Sequence, residues 1–359
     1  MLPALNGLRA LLALGIMFFH FTPPHMQLVA PVIDTAYALV AVFFLLSGYV
    51  LAYNYVDRPA PLVKREFWRA RFARLYPVYL LSLAISLPML QAEWHAHSHS
   101  DFFAGLVLTP LLLQGWVPTL ATFWNTVAWT LSVEVLLYAA FPWLIRLPWP
   151  KSPARLIALL VAIWAIGLVP HSLYILLNPD HLSAPANRYT YGYWLRALKF
   201  STIIYAATFL TGIGLGKLQT ILVLTPRQRT LVAAASLLAL AAFYSQAVPF
   251  APYVLMHGGL MTPLFAALIL GLSGPNTIAS LFSWRPLMLL GEASYCLFLL
   301  HFNFINMVRH SHGTDRLHLA EFDPWITYAA TILLAFAAYY LVEVPARKAI
   351  LRRRASSVK

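Results

Sequence analysis

Apolar runs, most of them long enough to cross a membrane, alternate with short polar or basic connections over the whole chain. They fall near residues 6–22, 33–55, 75–90, 127–146, 155–177, 198–217, 230–247, 252–273, 286–308 and 325–346. About 20 residues at a rise of 1.5 Å each span a hydrocarbon layer roughly 30 Å thick. The pattern therefore predicts an all-α, polytopic transmembrane helical bundle of about ten spans. Pro23-Pro24 ends the first run, and Ser47-Gly48 in the middle of the second lets a neighbouring backbone approach closely. Gly212, Gly214 and Gly216 give the sixth run a small-residue packing face. Residues 91–126 are the longest polar-leaning stretch and are expected outside, with Phe102–Leu113 as a surface-lying or re-entrant piece.

Composition agrees with this reading. Hydrophobic residues make up 60% of the 359 and charged residues 10%, whereas soluble domains carry about 25% charged residues. Eleven Trp and 18 Tyr suit aromatic belts at the two interfaces. The lone cysteine, Cys296, excludes an intrachain disulfide and a thiolate metal site. The first run has no basic leader and no small-residue cleavage site, so it reads as a retained span.

Net charge is +13, and its distribution matters more than its size. With the N-terminus inside, 20 of the 25 Lys and Arg fall at cytoplasmic ends. Arg58, Lys64, Arg65, Arg69, Arg71 and Arg74 share one loop, and Arg347, Lys348, Arg352, Arg353, Arg354 and Lys359 follow the last span. This is the positive-inside pattern, which places both termini in the cytoplasm and makes the charge an orientation signal. No nucleic-acid signature is present. Residues 1–350 read as one transmembrane domain and 351–359 as a basic cytoplasmic tail.

Candidate chemistry starts in the first helix. Eleven residues, about three turns, separate Arg9 from His20, so both point to nearly one face roughly 16 Å apart. Facing lipid would be costly, so this face should look onto a cavity or a partner helix. The competing structural reading is a snorkelling arginine and a core histidine. Arg71 and Arg74, at i and i+3, share a face if helical and suit phosphate, although anionic lipid and topology explain them as well. Glu134 stands just inside a span, where carboxylates are rare and usually functional. His95, His97 and His99 alternate, but no acidic or sulfur ligand clusters with them, so a solvated loop is preferred to a metal site. Glu343 reads as a partner for a tail arginine.

Six motifs then occur in order: Arg9-x10-His20, Phe43-Phe44-x-x-Ser47-Gly48, Arg71-x-x-Arg74-x-Tyr76-Pro77, Trp129-x-Leu131-Ser132-Val133-Glu134, Ser294-Tyr295…His301 and Tyr340-Leu341-Val342-Glu343-x-Pro345. Together they resemble the acyltransferase-3 family of integral membrane O-acyltransferases over essentially the full length. The resemblance implies a protein of the bacterial cytoplasmic membrane. Its donor would be cytoplasmic acyl-CoA, usually acetyl-CoA, with no permanently bound cofactor and no metal. Its acceptor would be a hydroxyl of a cell-surface or exported polysaccharide or of a lipid-linked precursor. His20 and Arg9 would be the essential pair, with Arg71 and Arg74, joined by Arg9, as contacts to coenzyme A.

In that reading His20 is the general base, and Glu134 fixes its tautomer or positions the sugar. Ser47, Trp129, Ser132, Tyr295 and His301 are candidate substrate-binding residues, Ser132 and Trp129 being candidate oxyanion donors as well. The chain departs from the family pattern in three places. Asn6 stands where Asp is common, Val135 and Leu136 where a second Glu and a Gln often follow Glu134, and Asn303 where a Pro often follows His301. No hydrolase-like domain follows the last span in this sequence, so transfer without a relay through one is expected. Two alternatives stay open: a saccharide or small-molecule transporter using intramembrane His and Glu, and an O-acyltransferase acting on a small secondary metabolite.

Overall fold

A computed structural model describes residues 2–56, 62–190 and 192–352, and these contain helices and turns but no strand. Arg58, Arg353, Arg354 and Lys359 lie outside the described residues, so the fold bears on the basic tail only as far as Arg352. The principal helices are α1 (Pro3–His20), α2 (Leu39–Tyr55), α3 (Lys64–Ile85), α4 (Trp129–Leu144), α5 (Pro153–Leu177) and α6 (Tyr193–Phe200). After them come α7 (Ala206–Ile221), α8 (Pro226–Ala242), α9 (Thr262–Leu272), α10 (Arg285–Glu292), α11 (Ser294–His310) and α12 (Trp325–Ala338).

Six helical segments are long and apolar enough to cross a membrane. Two bent pairs raise that to eight: α3 with Leu87–Ala96, bent by 55°, and α10 with α11, bent by 68°. The chain is thus a multi-pass helical membrane protein, but the expected ten spans are not met. Two of the expected runs, 127–146 and 198–217, correspond to α4 and α7, each of 16 residues. Such helices reach only about 24 Å, short of the hydrocarbon thickness. In the second case Ser201 adopts extended geometry after Phe200 and splits the run into α6 and α7. The polar-leaning stretch is also more structured than a solvated loop. It forms Leu90–Ala96 and His99–Leu108, then returns inward with Gln114 and Asn125 fully buried. Its histidines have separate partners: His97 pairs with Glu93 at 3.1 Å, and His99 stacks on Trp94.

Glycines set the closest approaches. A methyl group on Gly48 of α2 would run into the carbonyl oxygen of Phe209, and one on Gly212 of α7 into that of Leu45. The two helices therefore cross backbone to backbone, as expected of Ser47-Gly48 and the glycine face. Gly214, on the other face of α7, admits Leu160 of α5. The start of α1 is held the same way, since a methyl on Gly291 of α10 would meet the Asn6 carbonyl. Its far end is tied by Tyr328 of α12, whose hydroxyl donates to the Phe21 carbonyl at 2.8 Å. Both ends of the helix carrying Arg9 and His20 are fixed.

Because the clash at the α2–α7 crossing is with main chain, no rotamer change relieves it. Gly48→Val or Gly212→Val should cost about 1–3 kcal/mol or more. The measurable result is a lowered melting temperature and loss of monodisperse protein in size-exclusion chromatography. Gly313→Ala, whose added methyl finds its nearest neighbours at 3.4 Å, should leave both unchanged.

Candidate active site

The polar face of α1 opens onto two adjoining chambers. The first, of about 820 Å³ counting its open mouth, is lined by Arg9, Ser47, Arg71, Arg74, Glu134 and Tyr295 among others. α3 is helical through its basic stretch, so Arg71 and Arg74 enter this chamber together as their i,i+3 spacing requires. The Arg71 guanidinium lies 5.7 Å from the centre of the Phe67 ring and 5.9 Å from that of Tyr138. Its buried Nε has no hydrogen-bond partner among the described residues. Among those residues, too, no carboxylate stands within ion-pair distance of Arg9, Arg71 or Arg74. Glu134 and Glu343 act on Arg9 and Arg74 from further away. The Glu134 carboxylate is otherwise engaged: one oxygen accepts from Ser47 Oγ at 3.1 Å and from the hydroxyl of Tyr138. Tyr138, one turn along α4, holds this carboxylate in the stretch where the family often has further polar residues. Buried Glu343 accepts from Cys296 Sγ at 3.4 Å rather than serving only the tail.

The second chamber, of about 1130 Å³ counted likewise, contains His20 and Trp129. Val40, Thr130 and Phe298 line both chambers and form their common wall. His20 is not beside Glu134. Its Nδ1 lies 2.9 Å from Nε2 of His301, with the two rings stacked 5.2 Å apart. The Nδ1 of His301 in turn faces the carbonyl oxygens of Phe298 at 2.7 Å and Leu297 at 3.2 Å. A carbonyl only accepts, so His301 Nδ1 carries hydrogen and its Nε2 offers a lone pair. His20 Nδ1–H then donates to that lone pair, which leaves His20 Nε2 as the acceptor. The tautomer expected to depend on Glu134 is set by His301 and the α11 backbone instead.

The remaining assignments divide clearly. Ser47 and Tyr295 line the first chamber, Tyr295 with its hydroxyl donating to the Leu75 carbonyl at 2.8 Å. Trp129 lines the second, packed against Phe200 and Tyr205. Ser132 lines neither: it is buried, and its Oγ accepts from the Gly115 N–H at 3.3 Å. His301 is fully buried behind His20 and lines neither chamber, so its contact is with His20 rather than with either chamber's interior. Sequence reasoning missed Arg188, Arg196, Lys199 and His257, all lining the second chamber. A signal for the first three existed, since they are among the five Lys and Arg that the expected topology leaves away from the cytoplasmic ends.

These features define a multi-pass helical membrane protein with an internal arginine cluster and an internal histidine pair. The chain belongs to the acyltransferase-3 family, whose acyltransferase domain matches residues 2–344. It is 29% identical to the acyltransferase MdmB of Streptomyces mycarofaciens, covering 98% of this chain and 93% of that protein. It is 22% identical to the peptidoglycan O-acetyltransferase OatA of Listeria monocytogenes and 23% identical to the O-acetyltransferase OatA of Staphylococcus aureus. Those matches cover 96% and 97% of this chain but only 56% and 57% of the relatives, so the chain spans little more than half the length of either. No solved structure matches the chain.

Asn303, at the family's proline position, ties the site to its surroundings. Its side-chain amide donates to the Trp124 carbonyl, shortly before α4 begins, at 3.0 Å and to Ser86 Oγ at the end of α3. Asn303→Leu leaves the part-buried Trp124 carbonyl and the buried Ser86 hydroxyl short of a donor and should cost about 1–3 kcal/mol, read as a lowered melting temperature of the purified protein.

Proposed function

We propose that the protein is an O-acyltransferase of the bacterial cytoplasmic membrane. It takes an acyl group, in the first instance acetyl, from cytoplasmic acyl-CoA and places it on a hydroxyl of an exported or cell-surface saccharide or of its lipid-linked precursor. The observation that carries this reading is the pair of adjoining chambers, one holding three guanidiniums and the other a histidine, with Val40, Thr130 and Phe298 lining both. Membership in the acyltransferase-3 family and the likeness to proteins named O-acetyltransferases support the reaction class.

The donor enters the Arg9 chamber from the cytoplasmic side. Arg71 and Arg74 hold its phosphates as charge-assisted, bidentate partners, with the vacant Arg71 Nε–H as a donor in place. Arg9, further along, meets phosphate or the pantetheine arm. The thioester arrives at the wall of Val40, Thr130 and Phe298, and the acceptor hydroxyl waits beyond it at His20. His20 Nε2 removes the hydroxyl proton as the oxygen attacks the thioester carbon. The carbon–sulfur bond breaks on collapse of the tetrahedral intermediate, and the proton on His20 passes to the departing sulfur. The new ester and free coenzyme A balance the exchange. While His20 is protonated, its charge is met through His301 by the carbonyls of Phe298 and Leu297. Glu134, held by Ser47 and Tyr138, offsets part of the arginine charge and keeps the donor chamber from binding anions too tightly to release them.

His20→Ala should lower acetyl transfer from acetyl-CoA by about 10²–10⁴-fold while the protein still folds and elutes as wild type. His301→Ala should lower kcat and leave the KM for acetyl-CoA near its wild-type value, because His301 touches neither substrate. Arg71→Ala/Arg74→Ala should weaken saturable acetyl-CoA binding to protein in detergent. Full activity in His20→Ala, or saccharide transport with no thioester consumed by wild type, refutes the assignment and favours a transporter.

A further inference from the structure

The His20 chamber has an electrostatic character that transfer to a neutral sugar does not explain. Arg188, Arg196 and Lys199 line it, and among the described residues no Asp or Glu does. Arg188 and Lys199 are positioned by contacts that bring no counter-charge. Arg188 donates to the Phe19 carbonyl at 3.2 Å and lies 4.2 Å from the centre of the Phe19 ring, one residue from the base. The Lys199 ammonium sits 5.3 Å from the centre of the Tyr253 ring and 5.4 Å from that of Phe200. Carbonyls and ring faces orient a cation but supply no counter-charge.

Asp180, the carboxylate that precedes this segment, is occupied elsewhere. It accepts from the N–H groups of Trp194 and Leu195 and from the Tyr174 hydroxyl, fixing the start of α6. The three cations are close enough to act on one another: burial first, then Arg196 and Arg188, push Lys199 down to about 8. A second kind of observation points the same way. His257, only 7% exposed, lines this chamber stacked on Tyr37, and its Nε2 has no hydrogen-bond partner among the described residues. Partly buried like charges beside an unused polar atom are costly to hold together unless an anion joins them.

We propose that the acceptor is an anionic saccharide, one that presents a hydroxyl to His20 while Arg188 and Lys199 hold a phosphate or carboxylate on the same molecule. Tyr37, Trp129 and Tyr253 supply aromatic faces for the sugar ring, and His257 a further polar contact. This rests on the acyltransferase reading and narrows its acceptor. The anion explains why positive charge collects at the end of α1 away from the Arg9 chamber, and it holds the reacting hydroxyl in register with a base that has only one free nitrogen.

The test is calorimetric titration of the full chain in nanodiscs with three probes: glucose 1-phosphate, glucuronate and glucose. At least one charged probe should bind about tenfold or more tightly than glucose, and the better of the two identifies phosphate or carboxylate as the recognised group. The advantage should vanish in Arg188→Gln/Lys199→Gln and persist in Arg71→Gln/Arg74→Gln. Acetyl-CoA binding, measured on the same samples, should survive the first pair of changes and so report intact folding. Equal affinities for the three probes, or no binding of either anion, overturns the proposal. So does an anion preference lost only in Arg71→Gln/Arg74→Gln, or acetyl-CoA binding lost only in Arg188→Gln/Lys199→Gln, which would assign these cations to the donor. Failure of wild type to bind acetyl-CoA would instead count against the acyltransferase reading and leave the anion result standing.

Discussion

The polar face of α1 cannot be turned toward lipid, and most of the architecture follows from that constraint. Arg9 and His20 fall on one side of a helix that is otherwise apolar but for Asn6 near its start, so the bundle has to supply an interior for each. It does so by fixing the helix at both ends, with the glycine contact between Gly291 and Asn6 at one and Tyr328 at the other. α3 and α4 then bring the groups that share the Arg9 chamber, while α6 and α11 bring those around His20. The backbone-to-backbone crossing of α2 and α7 packs glycine against glycine at Gly48 and turns the neighbouring Ser47 to Glu134. The packing in that motif is therefore carried by Gly48 and the polar contact by the adjacent Ser47.

Local periodicity made much of this legible. Three turns between Arg9 and His20, and one turn between Arg71 and Arg74, fix shared faces whatever the fold around them. The small-residue faces likewise followed from which helices must approach closely. What local pattern does not encode is where a side chain stands along the bundle axis relative to another helix. Glu134 and His20 both belong to the interior, but Glu134 lies one turn beyond Thr130, about 6 Å further along α4. Thr130 is in the wall between chambers, so Glu134 falls on the arginine side of it.

The partner that does reach His20 comes from a residue 281 positions away, brought there by the sharp bend between α10 and α11. Neither the bend nor the pairing leaves a mark in hydropathy. The splitting of the run at 198–217 was hidden for a related reason: its apolar composition continues across Ser201 although the backbone turns there. The cations of the His20 chamber were visible but were absorbed into a topological average. The positive-inside rule describes the majority of charges, and the residues that depart from it are the ones that need another explanation.

Phe298 joins the two halves of the site, and under the proposed reaction it is where a thioester and a hydroxyl would have to meet. Its ring stands in the wall common to both chambers, 5.9 Å from the ring of Phe43. Its carbonyl, held in the α11 backbone, accepts from His301 and so fixes the tautomer of His20. Side chain and main chain are free of one another here. The ring can rotate about its own side-chain torsions to admit an acyl group while the carbonyl stays in the helix. Opening the wall therefore does not disturb the proton arrangement of the base beyond it. A barrier built instead from the base itself, or from the carboxylate of a conventional triad, would lose its hydrogen bond each time it opened. In the proposed reaction, separating the moving part from the orienting part within a single residue would let the two chambers connect without disturbing the hydrogen bond that aligns His20.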